Sequence, residues 1–383
     1  AKFTPQTVIH SPGSVYIADR WWKDWNPDGQ GDISLKRGLA MSCNTFFYQL
    51  GVRTGIDSMT EMAKRIGFGE KMLVGPEGES ILAGEDPGTM PGKKWMEDRM
   101  ADRKKKYKEQ IEKWVADGRP GPRPTPPPIE RWSDGHTANT SIGQGFVRVT
   151  PLQMSVMMSA VANDGSVYHP RLVQGVALST ETGVKPVREF PAAVKRGDLG
   201  VKPVREFPAA VKRGDLGVKP ENLAAVREGL RAVVTEGTGK NAAVKDVEVA
   251  GKTGSAQFTT RIGGSLVKDT RTWFTGFAPF KDPKYVITVI VEGGVSGGST
   301  CAPLASEILF KIFEMEKGVP PAMVYQAPVV GHFHGVTASA GSYVPGAGPT
   351  PTDDTDGDGG IFGGIFNWFD EGNNSGGAGR GLR

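Results

Sequence analysis

Val247-Glu-Val-Ala-Gly-Lys252-Thr253-Gly254-Ser255-Ala256-Gln257-Phe258 is the stretch on which the fold turns. Its apolar residues at short, alternating spacing predict a strand. Two further strands are predicted at Arg271–Ala278 and Tyr285–Glu292. A loop through Gly263-Gly264 joins the first two, so an antiparallel hairpin is expected. Before the hairpin, Leu223, Val226, Leu230 and Val233 recur at helical spacing; after it, Pro303–Glu316 has the pattern of a helix with one apolar face.

Outward from that strand the chain divides by composition. Residues 1–92 have globular character, with helical stretches Ser34–Met41 and Thr45–Leu50 meeting at Ser42-Cys43-Asn44. Ser58-Met-Thr-Glu61 has the form of a capping box opening a helix through Arg65, with Gly67 as its stop. Residues 93–131 change character. Lys93–Val115 is highly charged, with Met96, Met100, Tyr107, Ile111 and Trp114 at roughly helical spacing, and the run Arg119–Pro128 is proline-rich and extended. A solvated insertion is expected there, with a partner-binding helix or a proline ligand as the alternatives. Residues 132–182 are compact again. Thr150-Pro151-Leu-Gln153 joins a capping box to a first-turn proline, starting a helix through Met157 and Val161 that ends at Gly165.

Residues 183–217 carry an identical tandem duplication: Gly183–Leu199 recurs as Gly200–Leu216. Its period matches no solenoid, so it reads as a duplicated surface loop or a sequencing artefact. Residues 218–318 hold the hairpin and the last helix. Residues 319–383 form a tail in which 15 of the 53 positions from Gly331 are Gly, so it is not expected to fold.

Composition excludes several classes. With 53 Gly, 28 Pro and 38% hydrophobic residues, the chain supports one or two packed domains plus unpacked sequence. The net charge of +4 is too small to argue for nucleic acid or a polybasic membrane patch. No apolar run approaches the roughly 20 residues of a membrane span. Two cysteines, Cys43 and Cys301, exclude a disulfide scaffold and a Cys-rich metal site. The chain opens at Ala1 without a signal peptide and is read as a fragment whose N-terminus lies upstream.

Two motifs carry chemistry: Ser42-Cys43-Asn44 between two helices, and Lys252-Thr253-Gly254 on a strand. Alone, the first is an ordinary helix cap and the second an exposed strand end. Their order and contexts together resemble the Ser-x-Asn and Lys-Thr-Gly signature of the penicillin-binding protein transpeptidases, most closely the class B, elongation-type PBP2 subgroup. Three flanking stretches share the resemblance: Ala40-Met-Ser-Cys-Asn-Thr-Phe-Phe-Tyr-Gln-Leu-Gly51, Ser141-Ile-Gly-Gln-Gly-Phe146 running into Val149-Thr-Pro-Leu-Gln153, and Trp273-Phe-Thr-Gly-Phe-Ala-Pro279. It covers about residues 1–92, 132–180 and 218–317.

The resemblance implies an α+β fold of the serine β-lactamase and D,D-transpeptidase type: an antiparallel sheet flanked by helices, with a helical subdomain. It implies Ser42, Asn44 and Lys252 as catalytic residues and Thr253, Gly254, Ser255 and Gln257 as substrate-binding residues. Ser42 would relay a proton to the leaving group. Asn44 would bond the lysine and the substrate amide. Lys252 would supply fixed positive charge, and Thr253 would bind the terminal carboxylate. Gly254 would let the ligand approach the backbone, and the Ser255 N–H would be one oxyanion donor. The strand to Gln257 would take the peptide as an added strand. Implied partners are peptidoglycan stem peptides ending in D-Ala-D-Ala, β-lactams and a SEDS-type glycosyltransferase, at the extracytoplasmic face of the membrane. No cofactor, no metal and no nucleic acid is implied.

One departure stands out. The family's Ser-x-x-Lys motif, expected on a helix before Ser42, is not found there. The chain has that spacing only at Ser265-Leu-Val-Lys268, expected in the loop after the Lys-Thr-Gly strand. The nucleophile is therefore unknown and expected outside this chain, along with the nucleophile helix and the first sheet strands. This leaves an unprotected sheet edge and a chain inactive by itself. A non-catalytic module that binds muropeptides or an assembly partner is the second reading. A serine hydrolase built on Gly294-Val-Ser296-Gly-Gly298 is a third, lacking a downstream His–acid pair. Asp354-Thr-Asp356-Gly-Asp358-Gly359 resembles the start of a calcium loop without its closing Glu. His332-Phe-His334 is a weak metal pair, and Cys43 reads as a packed side chain rather than a nucleophile.

Overall fold

The computed structural model describes residues 3–73, 82, 84–170, 179–180, 183–184, 212–262 and 265–318. The chain enters through four short strands, β1 (Ile9–Ser11), β2 (Ser14–Ile17), β3 (Arg20–Lys23) and β4 (Gly31–Ile33). They form two antiparallel pairs, β1 with β4 and β2 with β3. Helices α1 (Leu35–Ala40), α2 (Asn44–Thr54) and α3 (Ile56–Ile66) follow. The expected capping box at Ser58 is not used. Helix α3 begins at Ile56 after Gly55, which sits at φ +83°, and has no side-chain cap. Burial of Ile56 draws the first turn three residues earlier than the local signal suggests. Gly67 closes the helix in the left-handed conformation, as expected.

Helix α4 (Lys93–Ala116) confirms the charged helix. Only Met96 and Met100, near its start, are buried. Tyr107, Ile111 and Trp114 are half-buried. Trp114 Nε1 donates to the Pro120 carbonyl, and the Arg119 guanidinium lies over the Trp114 ring. The proline-rich run thus folds back along the helix.

Helices α5 (Asp134–Ser141) and α6 (Pro151–Ala162) complete a helical layer. The cap of α6 forms as read: Thr150 and Gln153 bond each other's backbone N–H, with Pro151 at the first position. Next come β5 (Ser166–Tyr168), β6 (Ser179–Thr180), β7 (Gly183–Val184) and β8 (Lys212–Asp215). The duplicated segment lies largely outside the described residues. Its last part corrects the expectation of a surface loop, because β8 pairs with β5 and Leu216 is buried between α3, α6 and α7 (Pro220–Thr235). An apolar residue beside a cluster of Ile66, Val156 and Leu223 gains more from burial than from solvent.

The main sheet has the order β11-β10-β9, with β9 (Ala250–Ile262), β10 (Ser265–Ala278) and β11 (Tyr285–Glu292) all antiparallel. The hairpin is longer than the apolar pattern indicates, and its Gly263-Gly264 loop lies outside the described residues. Helix α8 (Ala302–Glu316) packs Leu309 and Phe313 with Val249 and Phe274 on one face. Helices α6 and α7 pack Met158 and Leu230 with Ala250 and Phe277 on the other. Among the described residues, β9 and β11 are the two edges. The observed class is the expected α+β arrangement. The tail beyond Gly318 lies outside the described residues.

Candidate active site

Helix α1 ends at Ala40, two residues before a left-handed Ser42 at φ 53°. Ser42 N–H bonds the Leu39 carbonyl and Cys43 N–H bonds the Gly38 carbonyl. These two bonds define a Schellman cap, which usually places glycine at the left-handed position. A serine there carries steric strain of about 1–2 kcal/mol. The turn is held from outside. Trp25 Nε1 donates to the Met41 carbonyl, and the Asp24 carboxylate accepts from Thr45 N–H, capping α2 from a distant loop. The Cys43 thiol also donates to Asp24. Burial pushes that thiol up, so Cys43 is the packed side chain expected rather than a thiolate.

Opposite the turn runs β9. Lys252 shares a sheet face with Thr275 and Phe277, the face turned toward α6 and α7, because register pairs Lys252 with Thr275. Its Nζ donates to Ser42 Oγ at 2.8 Å and to the Thr253 carbonyl at 2.7 Å. The two motifs, 210 positions apart in sequence, therefore meet through a direct hydrogen bond. Burial pushes the Lys252 ammonium down to about 8, and no carboxylate pairs with it among the described residues. At neutral pH it is mostly charged yet close to its titration point.

Asn44 begins α2, half-buried. The lysine bond expected for its amide is not formed; the ammonium goes to Ser42 and the Thr253 carbonyl instead. Thr253 is buried, and its hydroxyl meets that of Thr238 at 2.7 Å. Close approach to Gly254 comes from the protein itself, since a Cβ on Gly297 would sit 2.5 Å from the Gly254 carbonyl oxygen. Ser255 is exposed and its hydroxyl accepts from Gly297 N–H at 3.0 Å. Gln257 is exposed further along the same strand.

Thr238, Gly297 and Asp24 were not legible as site residues. The signal available for the first was the small triplet Gly237-Thr238-Gly239 just past an amphipathic helix.

The competing serines fall elsewhere. Ser265 and Lys268 lie on β10, not in a loop as expected. On a strand, positions three apart take opposite faces, so the one-turn helical spacing of a nucleophile and its lysine is not reproduced. Ser296 Oγ accepts from Ser299 N–H and bonds the Ser299 hydroxyl, capping the helical turn that leads into α8. Two histidines bond elsewhere, His10 to Asp32 and His136 to Ser133, while the buried Nδ1 of His169 has no hydrogen-bond partner among the described residues. The acidic loop near Asp356 and the pair at His332 and His334 lie outside the described residues.

Comparison with known proteins places this architecture. The peptidoglycan D,D-transpeptidase MrdA of Haemophilus influenzae is 29% identical over 339 residues, covering 85% of this chain and 43% of that protein. The protein of the same name in Acinetobacter baumannii is 28% identical over 314 residues, covering 79% and 38%. This chain thus spans less than half the length of these curated relatives. Among solved structures, penicillin-binding protein PBP2 of Helicobacter pylori in complex with MreC matches with a TM-score of 0.57 at 23% identity, covering 82% of this chain and 46% of that one. Pseudomonas aeruginosa PBP2 in complex with WCK 5153 matches with a TM-score of 0.56 at 23% identity, covering 85% and 57%. The family model for the penicillin binding protein transpeptidase domain matches residues 1–310, and the chain belongs to that family.

Proposed function

We propose that this chain carries the Ser-x-Asn and Lys-Thr-Gly walls of a serine-type D,D-transpeptidase site that cross-links peptidoglycan stem peptides ending in D-Ala-D-Ala and is acylated by β-lactams. The hydrogen bond from Lys252 to Ser42 carries the reading. Because Lys252 Nζ donates to Ser42 Oγ, the serine's own proton is left to point elsewhere. As the scissile C–N bond breaks, Ser42 gives that proton to the leaving amine and Lys252 replaces it. An ammonium near 8 surrenders a proton more readily than one near 10.5. Thr253 donates to the terminal carboxylate, beside the positive charge of Lys252. The open edge of β9 receives the peptide as an added strand, the Ser255 N–H is an oxyanion donor, and Asn44 binds the acyl amide.

The attacking serine and its lysine lie outside this chain, which is inactive alone. The complete protein works at the extracytoplasmic membrane face, beside a SEDS-type glycosyltransferase. The absence of a helical Ser-x-x-Lys equally suits a non-catalytic muropeptide-binding module. A fluorescent penicillin separates the readings. This chain is expected to form no adduct, while the full gene product is labelled at a serine upstream of Ala1. An adduct on Ser42 or Ser265 would overturn the assignment, and an unlabelled full product that still binds muropeptides would favour the module.

A further inference from the structure

Thr238 lies in the loop between α7 and β9 and touches β9, the end of α1 and the turn that leads into α8. Its hydroxyl meets that of Thr253 at 2.7 Å. Its N–H donates to the carbonyl of Ala40, two residues before Ser42, at 3.0 Å. Its carbonyl oxygen packs on Gly298, where a Cβ would come within 2.4 Å. The flanking glycines leave no slack. A Cβ on Gly237 would sit 2.1 Å from the Ala40 oxygen, and one on Gly239 would sit 2.9 Å from Val233. The backbone of Thr238 is therefore pinned, and with it the place from which its hydroxyl faces Thr253.

Two hydroxyls at this distance share one proton between them, so one donates and the other accepts. With no ligand bound either direction serves. A bound carboxylate accepts only, so Thr253 must then give its own proton to the ligand. The hydroxyl bond survives only if Thr238 donates to Thr253. Accepting a bond makes a hydroxyl a stronger donor. We propose that Thr238 is a positioning residue: it aims the Thr253 proton at the substrate's terminal carboxylate and thereby sets the preference for a free carboxylate over an amide. The inference rests on the carboxylate-binding role given to Thr253 above.

The test is non-covalent binding, followed by NMR titration of this chain with a peptide ending in D-Ala-D-Ala and with its C-terminal carboxamide. The unaltered chain is expected to prefer the carboxylate. Thr238→Val keeps the shape but loses the hydroxyl, and carboxylate affinity should fall about tenfold with carboxamide affinity unchanged. Thr238→Ser should restore the preference, which a purely structural role of the γ-methyl would not. Thr238→Val together with Thr253→Val should be no worse than Thr253→Val alone. If Thr238→Val keeps the full preference while Thr253→Val loses it, the inference fails and the site reading stands. If the unaltered chain binds both peptides alike, the carboxylate role of Thr253 fails and the inference falls with it.

Discussion

The start of α6 and the end of α1 are both helix termini, and they treat local physics in opposite ways. At α6, Thr150 and Gln153 cap each other, and proline occupies the position where its missing N–H costs nothing. Gln153 is fully buried, and its remaining donors reach the Glu70 and Pro87 carbonyls at 3.1 and 2.8 Å. At α1, serine stands where glycine is easiest, and its hydroxyl takes a bond from a half-buried lysine that has no carboxylate partner among the described residues. One terminus is built for stability. The other gives stability up to hold a hydroxyl and an amine within proton-transfer distance, which is the pattern of strain gathered at a functional site.

Substitutions at the two ends should therefore differ in sign. The largest effect is expected from Gln153→Ala, which removes the glutamine's half of the reciprocal cap and both of its side-chain bonds to the Glu70 and Pro87 carbonyls. Urea denaturation should show a loss of roughly 3 kcal/mol. A loss below about 1 kcal/mol would mean that the buried glutamine is no keystone of this terminus.

Lys252→Met should act the other way, with a gain of about 2 kcal/mol at pH 7. The sign follows from protons bound. The folded lysine titrates near 8 and the unfolded one near 10.5, so the unfolded state binds more protons between those values. The burial penalty is complete below pH 8 and disappears as pH rises to 10.5. The advantage of the methionine variant in thermal melts should shrink in the same window. An advantage equal at pH 7 and pH 10 would point to packing instead of charge.

Ser42→Gly should give the smallest change, a gain of about 0.5 kcal/mol, since relief of the left-handed strain is partly offset by the freedom glycine has when unfolded. A shifted urea midpoint at constant slope would show it. A loss of stability would mean that the bond from Lys252 outweighs the strain.

Much of the fold was legible where the deciding contacts are local. The cap of α6 lies within four consecutive residues, and the three strands of the main sheet and α7 follow from periodicity, whereas the short strands β1 to β4 did not stand out. Local signals misled where distant packing decided. Ser58 has the letters of a cap, yet burial of Ile56 starts α3 earlier; the end of the duplicated segment has the letters of a loop, yet Leu216 and β8 join the core. Residues acting through backbone atoms, Asp24 at the start of α2 and Gly297 against Gly254, left no pattern of their own.

Helix and strand positions, the two motifs and the family resemblance are properties of short windows, because side-chain periodicity and backbone preference act over a few residues. That Lys252 reaches Ser42 rather than Asn44, and that the lysine is desolvated, emerge only when segments some 200 residues apart are packed together. Hydrogen-bond choice and burial depend on which surfaces exclude water from each other, and no window of sequence contains both surfaces.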